Sequence, residues 1–232
     1  MHSVALIGGD GAGKSTIAET ILATEGLDAV SIYMGSSVQS ANRLLPTSRL
    51  VLWLKRSAYR RRVAGRGGST VIETERIPPA EYEYASRSRG TIWVAARYAN
   101  RFLEAWWRQL LAFREQRRGR LVVYDRHFLF DDSILDTEPD RRDRPLPERI
   151  FRAAMRRAYP RPDLVVFLHA PGEVLYARKG EATAEYHDLQ AEKYRRQAGA
   201  VPRFVQIDAS RPLDVVTREV IDHVASLRAG SR

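Results

Sequence analysis

The stretch "VALIGGDGAGKST", from Val4 to Thr16, places a run of apolar residues directly before a glycine-rich segment that ends in lysine and two hydroxyl residues. A short apolar run that stops at a turn signal is typical of a buried parallel strand. Residues 8–15 fit the pattern G-x-x-x-x-G-K-[ST], which is meaningful when a strand precedes it and a helix follows. The helix is indicated by the spacing of Ile17 and Ile21 in "KSTIAETILATEG", whose pattern stops at glycine. We therefore predict a strand, a phosphate-binding loop (Walker A) and a helix.

The residues of this loop have separate tasks in holding a nucleotide. Glycines permit the positive φ angles that turn successive backbone N–H groups toward phosphate oxygens, and the helix N-terminus adds partial positive charge. Lys14 would span the outer phosphates, and the Ser15 hydroxyl would hold Mg²⁺. The predicted nucleotide-binding residues of the loop are Gly8, Gly11, Ala12, Gly13, Lys14, Ser15 and Thr16.

Strands alternate with helices along most of the chain. The apolar runs "AVSIYM", "LVVYDRH", "DLVVFLHA" and "RFVQIDA" predict strands, and helical periodicity is found at 91–117 and 147–158, in two pieces after Pro171, and after Pro212. This alternation predicts an α/β fold with a parallel sheet covered on both faces, whose ligands bind at the carboxyl ends of the strands. The glycine loop, "DRH" and "LHAPGEVLYARK" all follow strands, so we expect them to meet at one edge.

The second quarter of the chain is less regular. Residues 35–47 are predicted to form a loop and residues 48–62 a helix, while 64–90, rich in Gly, Pro and charge, is the candidate for a mobile loop.

Length and composition favour one large α/β domain in the 232 residues. The chain has no cysteine, no charged-then-apolar leader and no apolar run approaching 18 residues, which predicts a soluble cytoplasmic protein. The net charge is +10, and residues 43–120 alone contain 18 Lys and Arg against 6 Asp and Glu. Such a basic region fits nucleic acid, an anionic surface or a phosphorylated substrate, but it also fits solvated helix faces in an arginine-rich chain.

Two further groups carry charges suited to phosphate chemistry. Asp125 and Arg126 end an apolar strand, where an acid commonly reaches Mg²⁺ and an arginine can bridge transferring phosphates. Arg178 and Lys179 lie in a charged segment that could close over a nucleotide as a lid. The lid is predicted at about 178–190.

Together, "GGDGAGKST", "DRH" after the third strand and the lid approach "PGEVLYARK" resemble the thymidylate kinase family of nucleoside monophosphate kinases. The resemblance implies a P-loop NTPase fold with three αβα layers, a five-stranded parallel sheet in the order 2-3-1-4-5, and one kinase domain over 1–232 with an acceptor-side insertion at 35–90. It also implies ATP with Mg²⁺ as phosphoryl donor.

The same resemblance implies roles for individual residues. Asp10 would approach the acceptor's sugar hydroxyl, while Asp125 with Ser15 would serve Mg²⁺. Because residues 11 and 12 are Gly and Ala, the loop has no arginine, and Arg178 (or Lys179 in its place) would supply the catalytic cation. The predicted catalytic residues are Lys14, Arg126, Arg178, Asp10 and Asp125.

The acceptor half departs from the family pattern. After the second strand the chain has "YMGSSVQSANRLLPTSR" in place of the family's Arg-Glu-Pro-Gly-Gly-like stretch. Arg97 and Arg101 are candidates for holding the acceptor, with Trp93 or Tyr98 stacking on its base; the alternative is that most aromatics on this helix belong to the core. His127 could act as a base on an acceptor hydroxyl or simply pack at the strand end.

We therefore expect an ATP-dependent kinase that phosphorylates a nucleoside monophosphate such as dTMP or a related small phosphorylated or hydroxyl acceptor. The alternative is a nucleotide-gated binding protein that acts on RNA or a protein partner through the basic region 43–120. The acid inside the loop favours the kinase, because a pure switch has no evident need of it. The expected partners are ATP, a small acceptor and, in a homodimer, a second copy of the chain; neither membrane nor nucleic acid is expected.

Overall fold

The structure, a computed structural model, describes residues 2–34, 45, 91–130, 144–180 and 182–229. The predictions for 35–47, 48–62 and 64–90 lie outside the described residues, except at Leu45. The strands are β1 (His2–Gly8), β2 (Ala29–Tyr33), β3 (Leu121–Asp125), β4 (Leu164–His169) and β5 (Phe204–Asp208). The α-helices of the same ranges are α1 (Lys14–Ala23), α2 (Thr91–Arg117), α3 (Leu146–Ala158), α4 (Gly172–Lys179), α5 (Ala184–Arg196) and α6 (Leu213–Ala229). Short 3₁₀ turns follow β3 at Phe128–Phe130 and α5 at Ala198–Ala200.

The five strands form one parallel sheet in the order β2-β3-β1-β4-β5. β1 is central, and Val4 lies opposite Val123 of β3 on one side and Leu164 of β4 on the other. Both neighbours of β1 are distant in sequence, as expected when each parallel pair needs a crossover connection. The predicted fold class and strand order are confirmed.

Alternate residues of β1 point into two different cores. Val4 and Leu6 belong to a cluster that includes Ile17 of α1 and Val220 of α6. Ala5 and Ile7 belong to a second cluster on the other face, which also contains residues of α2, α3 and α5. Because strand side chains alternate between faces, an unbroken apolar strand requires helices on both sides. This gives the three αβα layers.

The end of α1 differs slightly from prediction, whereas α2 matches it. α1 ends at Ala23, before the glycine at 26 that the pattern suggested, because Thr24 already adopts an extended conformation with ψ 118°. α2 spans the predicted 91–117 in full. The helical pattern therefore located both elements, while the stop of α1 depended on the local backbone of one residue.

α2 is the longest helix in the described ranges, and it is not uniformly apolar. Its buried face includes Glu104, Arg108, Gln109, Glu115 and Gln116. Across residues 2–34, 91–130, 144–180 and 182–229, no helix combines the length and apolar character that a membrane crossing requires.

Candidate functional site

A cavity of about 670 Å³ lies at the carboxyl edge of the sheet. It brings together the glycine loop, the end of β3 and the end of α4, which are the three polar groups expected to meet there. Ligands of open α/β sheets bind at this edge. The lining residues are Asp10, Gly11, Gly13, Lys14, Ser15, Thr16, Ser31, Tyr33, Asp125, Arg126, Arg178 and Lys179.

The loop between β1 and α1 has the backbone expected of a phosphate cradle. Gly11 has φ +88° and Gly13 has φ +85°, conformations that L side chains rarely adopt. The Ile17 N–H donates to the Gly13 carbonyl at 3.0 Å, so α1 begins directly at the cavity. Its N-terminal N–H groups and dipole therefore face the space where an anion would bind.

Lys14 is folded into the loop. Its Nζ donates to the Gly8 carbonyl at 2.9 Å and to the Gly9 carbonyl at 2.7 Å, and only 8% of the residue is exposed. Burial lowers the pKa of Lys14 to about 8, with a further decrease from Arg126, against the opposing effect of Asp10. A phosphate would restore the ammonium charge that burial disfavours, so the site is predisposed to an anion.

Asp10 joins the loop to the turn after β3. Its Oδ1 accepts from Arg126 Nη2 at 2.7 Å and lies 3.7 Å from Lys14 Nζ. Burial alone would raise the pKa of Asp10, but the charges of Lys14, Arg126 and Lys179 outweigh it and lower the pKa. Asp10 therefore stays ionised, which makes it a strong hydrogen-bond acceptor and a weak base.

Arg126 holds this position with an unusual backbone. Its φ is +65°, in the left-handed region, and roughly half of its side chain is exposed. A non-glycine residue in that region costs about 1 kcal/mol, and such conformations concentrate at functional sites. The turn directs the guanidinium across the cavity toward Asp10.

Asp125 and Ser15 line the same cavity, as expected of residues that would share a metal ion. Burial raises the pKa of Asp125, opposed by Lys14 and Arg126. In the part of the chain that the structure describes, no cluster of three or more His, Cys, Asp or Glu forms a protein cage for a metal. Mg²⁺ needs no such cage, because it binds through one or two protein oxygens plus substrate phosphates. The oxygens of Ser15 and Asp125 fit that ion.

The two cations at the end of α4 have different surroundings. Arg178 Nη1 donates to the Ala209 carbonyl at 2.9 Å and lies 3.5 Å from the Gly11 carbonyl, so it bridges the loop and the turn after β5. The charge of Lys179 lowers the pKa of both Asp10 and Lys14. In the predicted lid range, α4 ends before Gly180 and α5 begins at Ala184. Of the two cations, Lys179 acts more directly on the central charges.

The acceptor candidates on α2 do not line the cavity. The Arg101 guanidinium lies 5.6 Å from the Phe151 ring of α3, and the Tyr98 ring is 5.5 Å from the same ring. Burial and a hydrogen bond with Glu148 raise the pKa of Tyr98 to about 12. The Arg97 guanidinium is 6.0 Å from the neighbouring Tyr98 ring. This half of α2 packs against α3.

His127 is also placed away from the cavity. It is 2% exposed, and its ring makes edge contacts with those of Tyr124 and Tyr159. Its Nδ1 accepts from the Leu129 N–H at 3.3 Å, and burial lowers its pKa to about 3. The neutral, enclosed ring is a packing element in this arrangement.

Ser31 and Tyr33 line the cavity and were missed by sequence reasoning. Both belong to β2, whose carboxyl end reaches the same edge as the glycine loop. The signal that could have found them is positional: every strand end of a parallel sheet contributes to this edge.

No protein-family model and no curated protein matches the chain. Among solved structures, the chain is similar to the deoxyadenosine kinase from M. mycoides with bound dATP, at 14% identity and a TM-score of 0.54, over 96% of this chain and 98% of that one. A second structure of that kinase, with products dCMP and a flexible dCDP bound, has 14% identity and a TM-score of 0.49, over 97% and 99% of the two chains. The likeness to the dATP-bound structure shows the fold alone, a five-stranded parallel sheet between helices, and does not single out the thymidylate kinases.

Proposed function

We propose that the chain is an ATP-dependent phosphotransferase, a single kinase domain over 1–232 that transfers the γ-phosphoryl group of ATP to a small acceptor, a nucleoside monophosphate such as dTMP being the leading class. The observation that supports it is the Asp10–Arg126 contact at 2.7 Å, which sets an ionised acid of the glycine loop against the arginine that follows β3 in the same cavity. Binding a nucleotide needs only the backbone N–H groups and the lysine of the loop. The acid within the loop, Asp10, therefore serves a second substrate.

The residues divide the work of a transfer that depends on position and charge. Lys14 and the loop N–H groups hold the donor phosphates. Arg126 lies between the two substrates and neutralises charge on the moving group, while Arg178 and Lys179 add positive charge from α4. Asp10 orients the acceptor.

The arrangement also leaves room for magnesium chemistry. Bound Mg²⁺ would supply Lewis-acid neutralisation of the negative charge on the donor phosphates. Ser15 and Asp125 would hold it, since both line the cavity and offer oxygen ligands. The raised pKa of Asp125 would fall again beside a divalent cation.

A phosphate acceptor fits the proton balance of the site best. Its oxygen is already ionised at neutral pH, so the transfer needs no strong base. Asp10 has a lowered pKa and is a poor base, and His127 is enclosed in the second core. Both residues that could have activated a hydroxyl are therefore unsuited to that task.

A nucleoside hydroxyl is the second candidate acceptor, favoured by one specific observation. Asp125 lines the cavity with a pKa raised by burial, so it is the more basic of the two cavity acids. The solved structure of similar fold is a deoxyadenosine kinase. In this case Asp125 would accept the proton of the hydroxyl, and it could do so only if Ser15 held Mg²⁺ without it, because a divalent cation on Asp125 would lower that pKa again.

An ADP-release assay across nucleoside monophosphates and nucleosides, with ATP and Mg²⁺, tests both candidates. We expect turnover with monophosphates, dTMP among them, and loss of turnover when EDTA removes the metal. Turnover confined to nucleosides would transfer the assignment to the second candidate. Absence of transfer to any acceptor would contradict the kinase assignment.

Asp10→Asn tests the role of the acid. Replacing the charge-assisted contact with a neutral one should lower kcat/KM for the acceptor about 10- to 100-fold, because such hydrogen bonds contribute about 1.5–3 kcal/mol. ATP affinity should stay within about threefold, since the loop N–H groups and Lys14 remain. Asp222→Asn, an exposed position on α6, is the matched control. Equal losses for ATP and acceptor would contradict an acceptor role for Asp10.

A further inference from the structure

The buried face of α2 contains an ion pair that the proposed catalytic roles do not use. Arg108 Nη2 donates to Glu104 Oε1 at 3.2 Å one helical turn away, and the residues are 2% and 8% exposed. Removing two charges from water is costly, and good geometry with further hydrogen bonds is needed to offset it. Such a pair is more readily explained by the groups it holds than by the stability it contributes.

Both members of the pair also contact residues outside α2. Arg108 Nη1 donates to the Tyr33 carbonyl at 3.3 Å, and its guanidinium lies 5.7 Å from the Phe128 ring. The Leu45 N–H donates to both carboxylate oxygens of Glu104, at 3.1 and 3.2 Å. The pair therefore joins three points outside α2: the end of β2, residue 45 and the turn after β3.

These points belong to one side of the candidate site. Tyr33 lines the cavity, and Phe128 follows Arg126 by two residues. In the strand order, β2 and β3 lie on one side of the central β1, whereas Arg178 contacts Ala209 beyond β5 on the other side. The Met34 N–H donates to the Asp125 carbonyl at 3.2 Å, which ties the two strand ends together. The pair supports the β2–β3 side.

We propose that Glu104 and Arg108 are positioning residues that fix the β2–β3 wall of the cavity and thereby set the affinity for the acceptor. This inference rests on the proposed function and adds to it that the acceptor binds at the β2–β3 side, where Tyr33 and Arg126 line the cavity, while the glycine loop receives ATP. The planar guanidinium of Arg108 suits the task, because its two terminal nitrogens hold the Glu104 carboxylate and the Tyr33 carbonyl in fixed relative positions.

Arg108→Gln tests the proposal, with Arg114→Gln, an exposed position on the same helix, as the matched control. Arg108→Gln should raise KM for dTMP, or for deoxyadenosine if the enzyme uses that acceptor, about tenfold, while ATP affinity stays within about twofold. Equal weakening of ATP and acceptor binding would overturn the proposal, because a general structural defect affects both.

Amide hydrogen exchange gives a readout that needs no catalysis. Arg108→Gln should speed exchange at Met34 and Leu45 about tenfold and leave the Ile17 amide, bonded within the glycine loop, unchanged. Unchanged exchange at Met34 and Leu45 would overturn the inference even in an active enzyme. If the wild-type chain transfers phosphate to no acceptor, the proposed function fails. The exchange result then still decides whether Glu104 and Arg108 position the β2–β3 wall. If Arg108→Gln does not fold, Glu104→Gln, which keeps the side-chain volume, takes its place in both measurements.

Discussion

At the scale of single residues, the pKa values of the site are set by burial combined with opposite charges at short range. Lys14 is 8% exposed and has its pKa lowered to about 8, yet it lies 3.7 Å from a carboxylate whose pKa is lowered too. Arg126 reaches that same carboxylate at 2.7 Å. An arriving phosphate would compete with Asp10 for these two cations.

His127 gives a test of stability against pH. Its folded pKa of about 3 lies below the value of about 6.5 expected when unfolded, so the unfolded state binds more protons between those values. The stabilisation is present above about pH 6.5 and is lost as pH falls toward 3. Between about pH 7 and pH 5, the free energy of unfolding should fall by about 2 kcal/mol from this residue.

Urea unfolding of the wild type and of His127→Phe at the two pH values measures this contribution. Phe keeps a ring among the neighbouring aromatic side chains and cannot titrate, so its free energy of unfolding should fall by about 2 kcal/mol less than that of the wild type. Identical pH dependence in the two proteins would show that His127 is not held neutral by burial.

At the scale of elements, α4 and α5 form a closely packed pair beside the loop. A Cβ at Gly172, the first residue of α4, would collide with the Ala184 carbonyl oxygen at the start of α5. The Gly172 N–H also donates to Asp188 Oδ1 at 3.0 Å. Because α4 ends in Arg178 and Lys179, the contact between the two helix starts helps to place both cations at the cavity.

Gly172→Ala should therefore destabilise the protein by about 1–3 kcal/mol, because backbone must shift to admit the methyl group. Gly199→Ala is the matched control, since a Cβ there would meet nothing within 4 Å. Chemical denaturation measures both. A free energy of unfolding for Gly172→Ala equal to that of the control would contradict the close approach of α4 and α5.

At the scale of the whole molecule, the charge of +10 and the parallel sheet point to different partners. A basic surface attracts any polyanion, whereas the cavity at the sheet edge suits a small phosphorylated ligand. Polyanion binding by the surface and ligand binding in the cavity can be separated by experiment, because attraction of a polyanion to a basic surface does not depend on nucleotide. A protein whose RNA binding is gated by ATP would couple them.

We expect RNA binding to be weak, steeply dependent on salt and insensitive to ATP. Fluorescence anisotropy with a single-stranded RNA at about 50 and about 200 mM salt should show a large loss of affinity at the higher salt. Saturating ATP should leave the affinity within about twofold at either salt. A tenfold change on adding ATP would favour the nucleotide-gated binding protein over the kinase.

Much of the architecture follows from sequence because its signals are local. The apolar runs of β1, β3 and β4 and the helical spacing in α2 report burial that each segment would show in any αβα sandwich. The glycine loop is a similar case, since residues 8–15 are contiguous and the positive φ angles fall on glycines, which permit them because they lack a Cβ. The strand order followed from the resemblance to a family, because a parallel sheet has no local signal for which strands are neighbours.

What only the tertiary structure decided concerns residues whose partners are distant in sequence. Asp10 and Arg126 are 116 residues apart and meet at 2.7 Å because β1 and β3 are adjacent strands. Arg101 lies against α3, and His127 is enclosed among aromatic rings, which no helical spacing revealed. The sequence by itself determined a glycine loop between a strand and a helix in an α/β sandwich, because that loop is one contiguous segment. The β2–β3 wall of the cavity depends on packing between segments, and packing was decided only when the strands and helices were assembled.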